Sequence, residues 1–134
     1  MADAVTSQTI MDGEHVAIMK FTNISDGTGE TAVTKVNVAN LSPSASGKAC
    51  TGVTVTKIHS VCHGMEVRMY WDATTDVPFF LSTINTNYCN DFSSFGGIPN
   101  NAGAGKNGNI VFSTADATSG DTYTVVLEMV KSYA

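Results

Sequence analysis

The chain has 134 residues, the size of one domain, and its 43% apolar content sits near the globular norm, which excludes wholesale disorder. Only 14% of residues are charged, and Thr, Ser, Asn and Gly fill the polar positions, a balance that suits β-strands joined by turns. The formal net charge is -5, the lysines are scattered and Arg68 is the sole arginine, which excludes a nucleic-acid surface and a basic patch for anionic lipid.

No amphipathic helical period emerges along the chain. Residues 1–9 are small and polar and predict an extended or flexible arm, drawn here to residue 12. Residues 14–24 predict a long strand, and Ser25-Asp-Gly-Thr-Gly-Glu30 a turn, since Asp-Gly supplies the positive φ of a tight reversal. Residues 31–39 alternate imperfectly, with Val33, Lys35 and Asn37 set against Thr34, Val36 and Val38. Residues 40–49 are a polar loop, and residues 51–61, rich in Thr, Val and Ile, a strand. After a turn at His63-Gly64, residues 65–72 alternate cleanly, with Met65, Val67, Met69 and Trp71 on one face and Glu66, Arg68, Tyr70 and Asp72 on the other. Residues 73–76 turn, and 79–85 predict another strand. From Tyr88 to Asn109 Asn, Gly, Ser and Pro dominate, and such a long irregular stretch in a compact domain often carries function. Residues 110–114 and 121–131 predict the last two strands, separated by a turn at 115–120.

The sum is an all-β, single-domain chain spanning 1–134, of seven or eight mostly antiparallel strands. A β-sandwich or jelly roll fits best, with barrel closure as the rival. Three cysteines, Cys50, Cys62 and Cys89, predict reduced, mostly buried thiols, although a Cys62–Cys89 bridge stays open. The first residues lack a basic region and an apolar core, so no signal peptide is expected, and no run is long enough for a membrane span.

Each chemically suggestive cluster fails on spacing. His59 and His63 share a strand face but lie about 13 Å apart, and Cys62 points the other way, so they suit ordinary strand residues better than zinc. Gly103-Ala-Gly-Lys-Asn107 has glycines like a phosphate loop, but Asn100 and Asn107 stand where Gly and Ser or Thr are needed. Asp72 and Asp76 flank one turn, a spacing that caps the turn better than it binds calcium. There is no Gly-x-Ser-x-Gly elbow and no cupin-like His-x-His. No catalytic residue, cofactor or metal site is predicted, and the chain reads as a structural or binding protein rather than an enzyme. The irregular segment offers the candidate partner contacts Tyr88, Phe92, Phe95 and Ile98, because aromatics are enriched at interface hot spots; the alternative is that they pin the loop into the domain's own core.

Four segments carry a wider likeness: Asp12-Gly-Glu-His-Val-Ala-Ile-Met-Lys-Phe-Thr-Asn-Ile-Ser-Asp-Gly-Thr-Gly-Glu30, Lys57-Ile-His59, Asp91-Phe-Ser-Ser-Phe-Gly-Gly97 and Ser119-Gly-Asp-Thr-Tyr-Thr-Val-Val-Leu-Glu128. Through them the chain resembles small virion structural proteins of tailed phages of marine and freshwater bacteria, including cyanophages. The resemblance implies a capsid decoration (cement) protein, made in the host bacterial cytoplasm. It would sit as a homotrimer on the outer capsid surface and bind the major capsid protein. Two alternatives stand beside it. One is a head–tail connector or tail component. The other is a carbohydrate-binding β-sandwich, for which a single Trp and few Tyr give only a modest stacking surface.

Overall fold

The computed structural model describes residues 3–133; Met1, Ala2 and Ala134 lie outside the described residues. In chain order the strands are β1 (Ala4–Asp12), β2 (Val16–Asp26), β3 (Val33–Val36), β4 (Cys50–His63), β5 (Glu66–Trp71), β6 (Val77–Ser82), β7 (Asn87–Asp91), β8 (Ile110–Ala115) and β9 (Ser119–Tyr133). Short 3-10 turns lie at Val38–Asn40 and Ser93–Phe95.

The strands make two antiparallel sheets, ordered β1-β2-β9-β4-β7 and β3-β8-β5-β6. The order has a simple origin. β5 pairs with β6, β4 with β7, β3 with β8 and β2 with β9. Those are the rungs of one long hairpin reversing between β5 and β6. Rolling the hairpin until β9 meets β4 and β8 meets β5 stacks it into two layers. The fold is therefore an all-β sandwich with jelly-roll strand order, and the two sheets stay separate instead of closing into a barrel.

Two strands extend the seven segments read from the sequence. The segment from residue 4 to 12, expected as an arm, is extended but docked: it pairs along β2 from Ala4↔Ile24 to Asp12↔Ala17 as the edge strand β1. Its apolar alternation is absent because Ala4 through Met11 are all exposed, so neither face selects for burial. Residues 1 and 2 of the expected arm lie outside the described residues. β7 opens the segment expected to be irregular; it too is mostly exposed, and its Asn-rich composition hides it.

Between the layers, the period-2 faces meet. Met65, Val67, Met69 and Trp71 are all fully buried, as their alternation predicts. They pack with Phe21, Ile58, Ile110, Phe112, Tyr123, Val125, Leu127 and Met129. Aromatic contacts run through this layer: Trp71 stacks on Phe79 at 4.4 Å, and Phe112 meets Phe21 edge-on at 5.3 Å. Each such pair adds about 0.5–1.5 kcal/mol to the area it buries. At the turn after β4, Gly64 has φ +81, and a Cβ there would lie 2.1 Å from an Asp121 carboxylate oxygen, so only glycine fits.

Two ionic clusters are set into the sandwich. In the first, Lys35 Nζ meets Glu30 Oε2 at 2.5 Å, with both side chains almost wholly buried. Glu30 Oε1 accepts from the Tyr123 hydroxyl at 2.5 Å and from Asn23 Nδ2 at 2.8 Å. Burial, then the adjacent Glu30 carboxylate, raises the Tyr123 pKa far above its ordinary value, so its hydroxyl stays protonated and donates. In the second cluster, Lys131 Nζ donates to Asp12 Oδ1 at 2.7 Å and to the carbonyls of Gly13 and Ser42 at 2.8 and 2.7 Å. One ammonium thus ties the last strand to the first hairpin and to the loop leaving β3.

The Asp12–Lys131 pair sets a pH window. Burial works against ionising Asp12, but the bonds from Lys131 and Ser42 outweigh it and hold the carboxyl below 3.8. Burial likewise works against charging Lys131, and the bond to Asp12 outweighs it, holding the ammonium above 10.5. The contribution of Asp12 is complete above pH 3.8 and is lost as pH falls through its lower folded value. That of Lys131 is complete below pH 10.5 and is lost as pH rises through its higher folded value. Lys131→Met is expected to cost about 3 kcal/mol in urea unfolding at neutral pH, because Asp12 is left without its cation. Asp12→Asn should flatten the acid limb of stability below pH 3.8; an unchanged acid limb would show that other carboxylates set it.

Candidate functional site

The segment after β7 is an excursion of an edge strand. β7 pairs with β4 from Lys57↔Asp91 to Val61↔Asn87. The chain leaves the ladder at Phe92 and returns at Ile98, which bridges Val55 with two bonds of 2.7 and 3.1 Å. β4 carries a bulge between Val55 and Lys57, and the bulged Thr56 carbonyl accepts from Phe92 N at 2.7 Å. The residues between are folded back on themselves: Gly97 N donates to the Phe92 carbonyl at 2.9 Å, and Gly96 N to that of Ser93 at 3.1 Å. Asp91 accepts from Ser93 N at 2.8 Å. The bonds from Ser93 hold the Asp91 carboxyl below its ordinary value.

Gly97 is what lets the loop lie against β4. Its φ is +94, and a Cβ would fall 2.8 Å from the Val55 carbonyl oxygen. The backbone on both sides of Phe95 is thereby fixed to the scaffold.

This geometry separates the four candidate contacts. Phe92 and Ile98 are half-buried and pack on the domain's own core. Tyr88 is half-buried on β7 with its ring 5.0 Å from that of Phe80. Phe95 is 70% exposed, the most exposed large apolar side chain among the described residues. Its ring centroid lies 6.0 Å from that of Phe92, which supports it from below. Three of the four residues pin the segment, and the fourth is held out to solvent.

The remaining sequence candidates fall where strand geometry puts them. His59 and His63 lie on the outer face of β4, whereas Cys62 points inward. Cys62 joins a buried hydroxyl cluster, 3.4 Å from Ser82 Oγ, and Ser82 Oγ lies 2.9 Å from Ser60 Oγ. Cys89 is exposed and sits opposite His59 in the β4–β7 register, so it faces away from Cys62; all three thiols are free. Asp76 accepts from Ala73 N at 3.1 Å, which is the turn cap its spacing suggests. Asp72 accepts from Asn107 Nδ2 at 2.8 Å.

A concavity of about 760 Å³ opens at one end of the sandwich, lined by Val38, Cys50, Val53, Asn100, Lys106 and Asn107 among others. Its amides serve the loop itself: Asn100 Oδ1 accepts from Ala102 N, and Asn107 Oδ1 from Asn109 N. Trp71, the one indole available for stacking a sugar, is wholly inside the sandwich. The buried Glu30–Lys35 pair escaped the sequence reading, which placed Glu30 in a turn and Lys35 on a strand face. Its signal was the broken alternation at Lys35-Val36, where both residues are buried.

The pinned and exposed aromatics should respond differently to truncation. Phe95→Ser is expected to leave the unfolding free energy in urea within about 0.5 kcal/mol of the parent, as for other exposed positions. Phe92→Ala should cost about 2 kcal/mol, and Gly97→Val at least as much, through the clash with Val55. Equal losses at Phe92 and Phe95 would show that the loop packs as one buried unit.

No protein-family model matches the chain, and no curated protein matches it in sequence.

Proposed function

We propose that this chain is a virion structural protein that decorates the outer capsid surface of a tailed phage and strengthens the shell by non-covalent binding to the major capsid protein. The observation that carries the attachment is Phe95, an apolar side chain 70% exposed on a loop whose backbone is bonded to β4 on both sides. A loop whose backbone is held in place before contact loses little backbone conformational entropy on docking, which favours affinity at an aromatic hot spot. The resemblance carried by residues 12–30, 57–59, 91–97 and 119–128 supplies the partner, and the third of these segments contains Phe95 itself.

The fold supports the same reading by analogy, since jelly rolls serve as capsid and lectin domains. The interior between the sheets is mostly apolar and closely packed, so the chemistry this chain offers a partner is that of its surface. A shell protein under internal pressure profits from rigidity, and two long strands crossing the whole sandwich, β4 and β9, provide it.

Cryo-EM of virions carrying this chain is expected to show its density on the outside of the capsid, over the joints between subunits. Density at the neck, baseplate or fibre would overturn the proposal. Capsids stripped of the protein should rebind the parent chain, and Phe95→Ser should weaken rebinding at least about tenfold, the loss typical of a central aromatic contact. Undiminished rebinding would move the contact elsewhere.

A further inference from the structure

We infer that β1 is a docking edge for a second copy of this chain, the two β1 strands pairing antiparallel across a two-fold axis at Ser7. The inference goes beyond the capsid reading and does not depend on it.

The two sheets have four edge strands, β1 and β7 in one and β3 and β6 in the other. Edges are a hazard because unpaired backbone groups recruit other strands, and proteins blunt them with recognisable devices. Three of these edges are blunted. β6 contains Pro78, which lacks a donor. β3 is four residues long and turns the charged Lys35 inward. β7 is five residues long, ends on Asp91 and diverts into the Phe95 loop.

β1 is different. It runs for nine residues, contains no proline and carries no charge from Ala4 to Met11. Its bulge lies between Thr9 and Met11, which leaves Ala4 to Thr9 in regular pairing with β2. It is also fixed in place at both ends. Asp3 accepts from Asn23 Nδ2 at 3.1 Å and from Asp26 N and Gly29 N at 3.2 Å each. Asp12 is bonded to Lys131 and to Ser42. Both carboxylates that bracket the strand are thus occupied within the fold. What remains, among the described residues, is an uncharged edge rich in β-branched side chains and exposed from Ala4 to Met11.

Charge and register point to the same chain as the occupant. In an antiparallel pair, hydrogen-bonding residues must face hydrogen-bonding residues, so a two-fold axis falls on a residue. With Ser7 on the axis, Val5 faces Thr9 of the second copy and Thr6 faces Gln8. Every pair is neutral, and Val5 with Thr9 is a β-branched match of the kind that stabilises sheets. The chain carries a net charge of -5, so two copies need a contact that brings few carboxylates together; the stretch from Val5 to Thr9 brings none, and Asp3 and Asp12 beyond it are bonded within their own fold. Joined there, two five-stranded sheets become one continuous sheet, a closed isologous dimer. Such a dimer differs from the trimer that the resemblance implies, and the solution mass decides between them.

The test is the solution mass of the full chain by sedimentation velocity, with reductant present so that Cys89 forms no bridge. The expected mass is twice the 14.1 kDa of one chain, falling to one chain on dilution. Ser7→Lys and Ser7→Glu should each raise the dissociation constant at least about tenfold by setting like charges across the axis. An equimolar mixture of the two should recover the dimer. Hydrogen exchange on the parent chain provides a readout free of any folding defect: β1 amides should gain protection as concentration rises. A monomer at every concentration, as expected if a different protein supplies the strand, would overturn the inference. So would a trimer, a dimer indifferent to either substitution, or β1 amides whose exchange does not change with concentration.

Discussion

The ladder between β4 and β9 is the interaction on which the rest of the molecule depends. It runs from Cys50↔Tyr133 to His63↔Thr122 and joins the two arms of the rolled hairpin. Without it the pairs β2·β9 and β4·β7 would belong to separate ribbons, with no second layer to cover their apolar faces. With it, β9 sits between β2 and β4, and Tyr123, Val125, Leu127 and Met129 enter the core in sequence. The same ladder leaves the opposite edge of β4 free for β7 and for the bridge at Ile98. The exposed ring of Phe95 is thus positioned, two strands away, by the seam that closes the fold.

Charge inside the sandwich serves connection more than net stability. A buried ion pair recovers its desolvation only when further hydrogen bonds complete it. Glu30 meets that condition with Lys35, Tyr123 and Asn23, and Lys131 meets it with Asp12 and two carbonyls. Each cluster joins elements remote in sequence: Glu30 lies before β3 while Tyr123 is in β9, and Asp12 ends β1 while Lys131 is near the end of β9. A slipped register would leave a charge buried without its partner, so these clusters select one alignment of the roll.

How much of this was legible in the sequence depended on burial. The strand with one face wholly inside, residues 65–72, announced itself through Met65, Val67, Met69 and Trp71 because only a half-buried strand imposes that alternation. β1 and β7 were missed for the converse reason: mostly exposed, with Tyr88 alone half-buried on β7, they carry no pattern to read. The same reasoning correctly divided His59 and His63 from Cys62, since a strand's period alone decides which face each takes. The irregular segment was visible as a departure from pattern. Which of its aromatics faced outward was not, because Phe92 and Phe95 have the same chemistry and differ only in how the backbone bonds at Thr56 and Gly97 turn them. The partner of Lys35 was likewise invisible, since it depends on a turn bringing Glu30 back over β3.

The rolled hairpin also has a history written into it. Its innermost rung, β5 with β6, links strands a few residues apart, whereas its outermost, β2 with β9, begins at Val16↔Val130. On a growing chain the inner rung has its partner almost at once, while β2, already paired with β1, lacks its second neighbour until β9 has been made. Closing so long a loop before any contact rewards it is slow, so the docking of β9 on β2 is expected late in folding. During that interval the first hairpin stands with its inward face open to water and to other nascent chains. A cell making this protein in quantity therefore faces a race between the arrival of the last strand and the collision of unfinished copies.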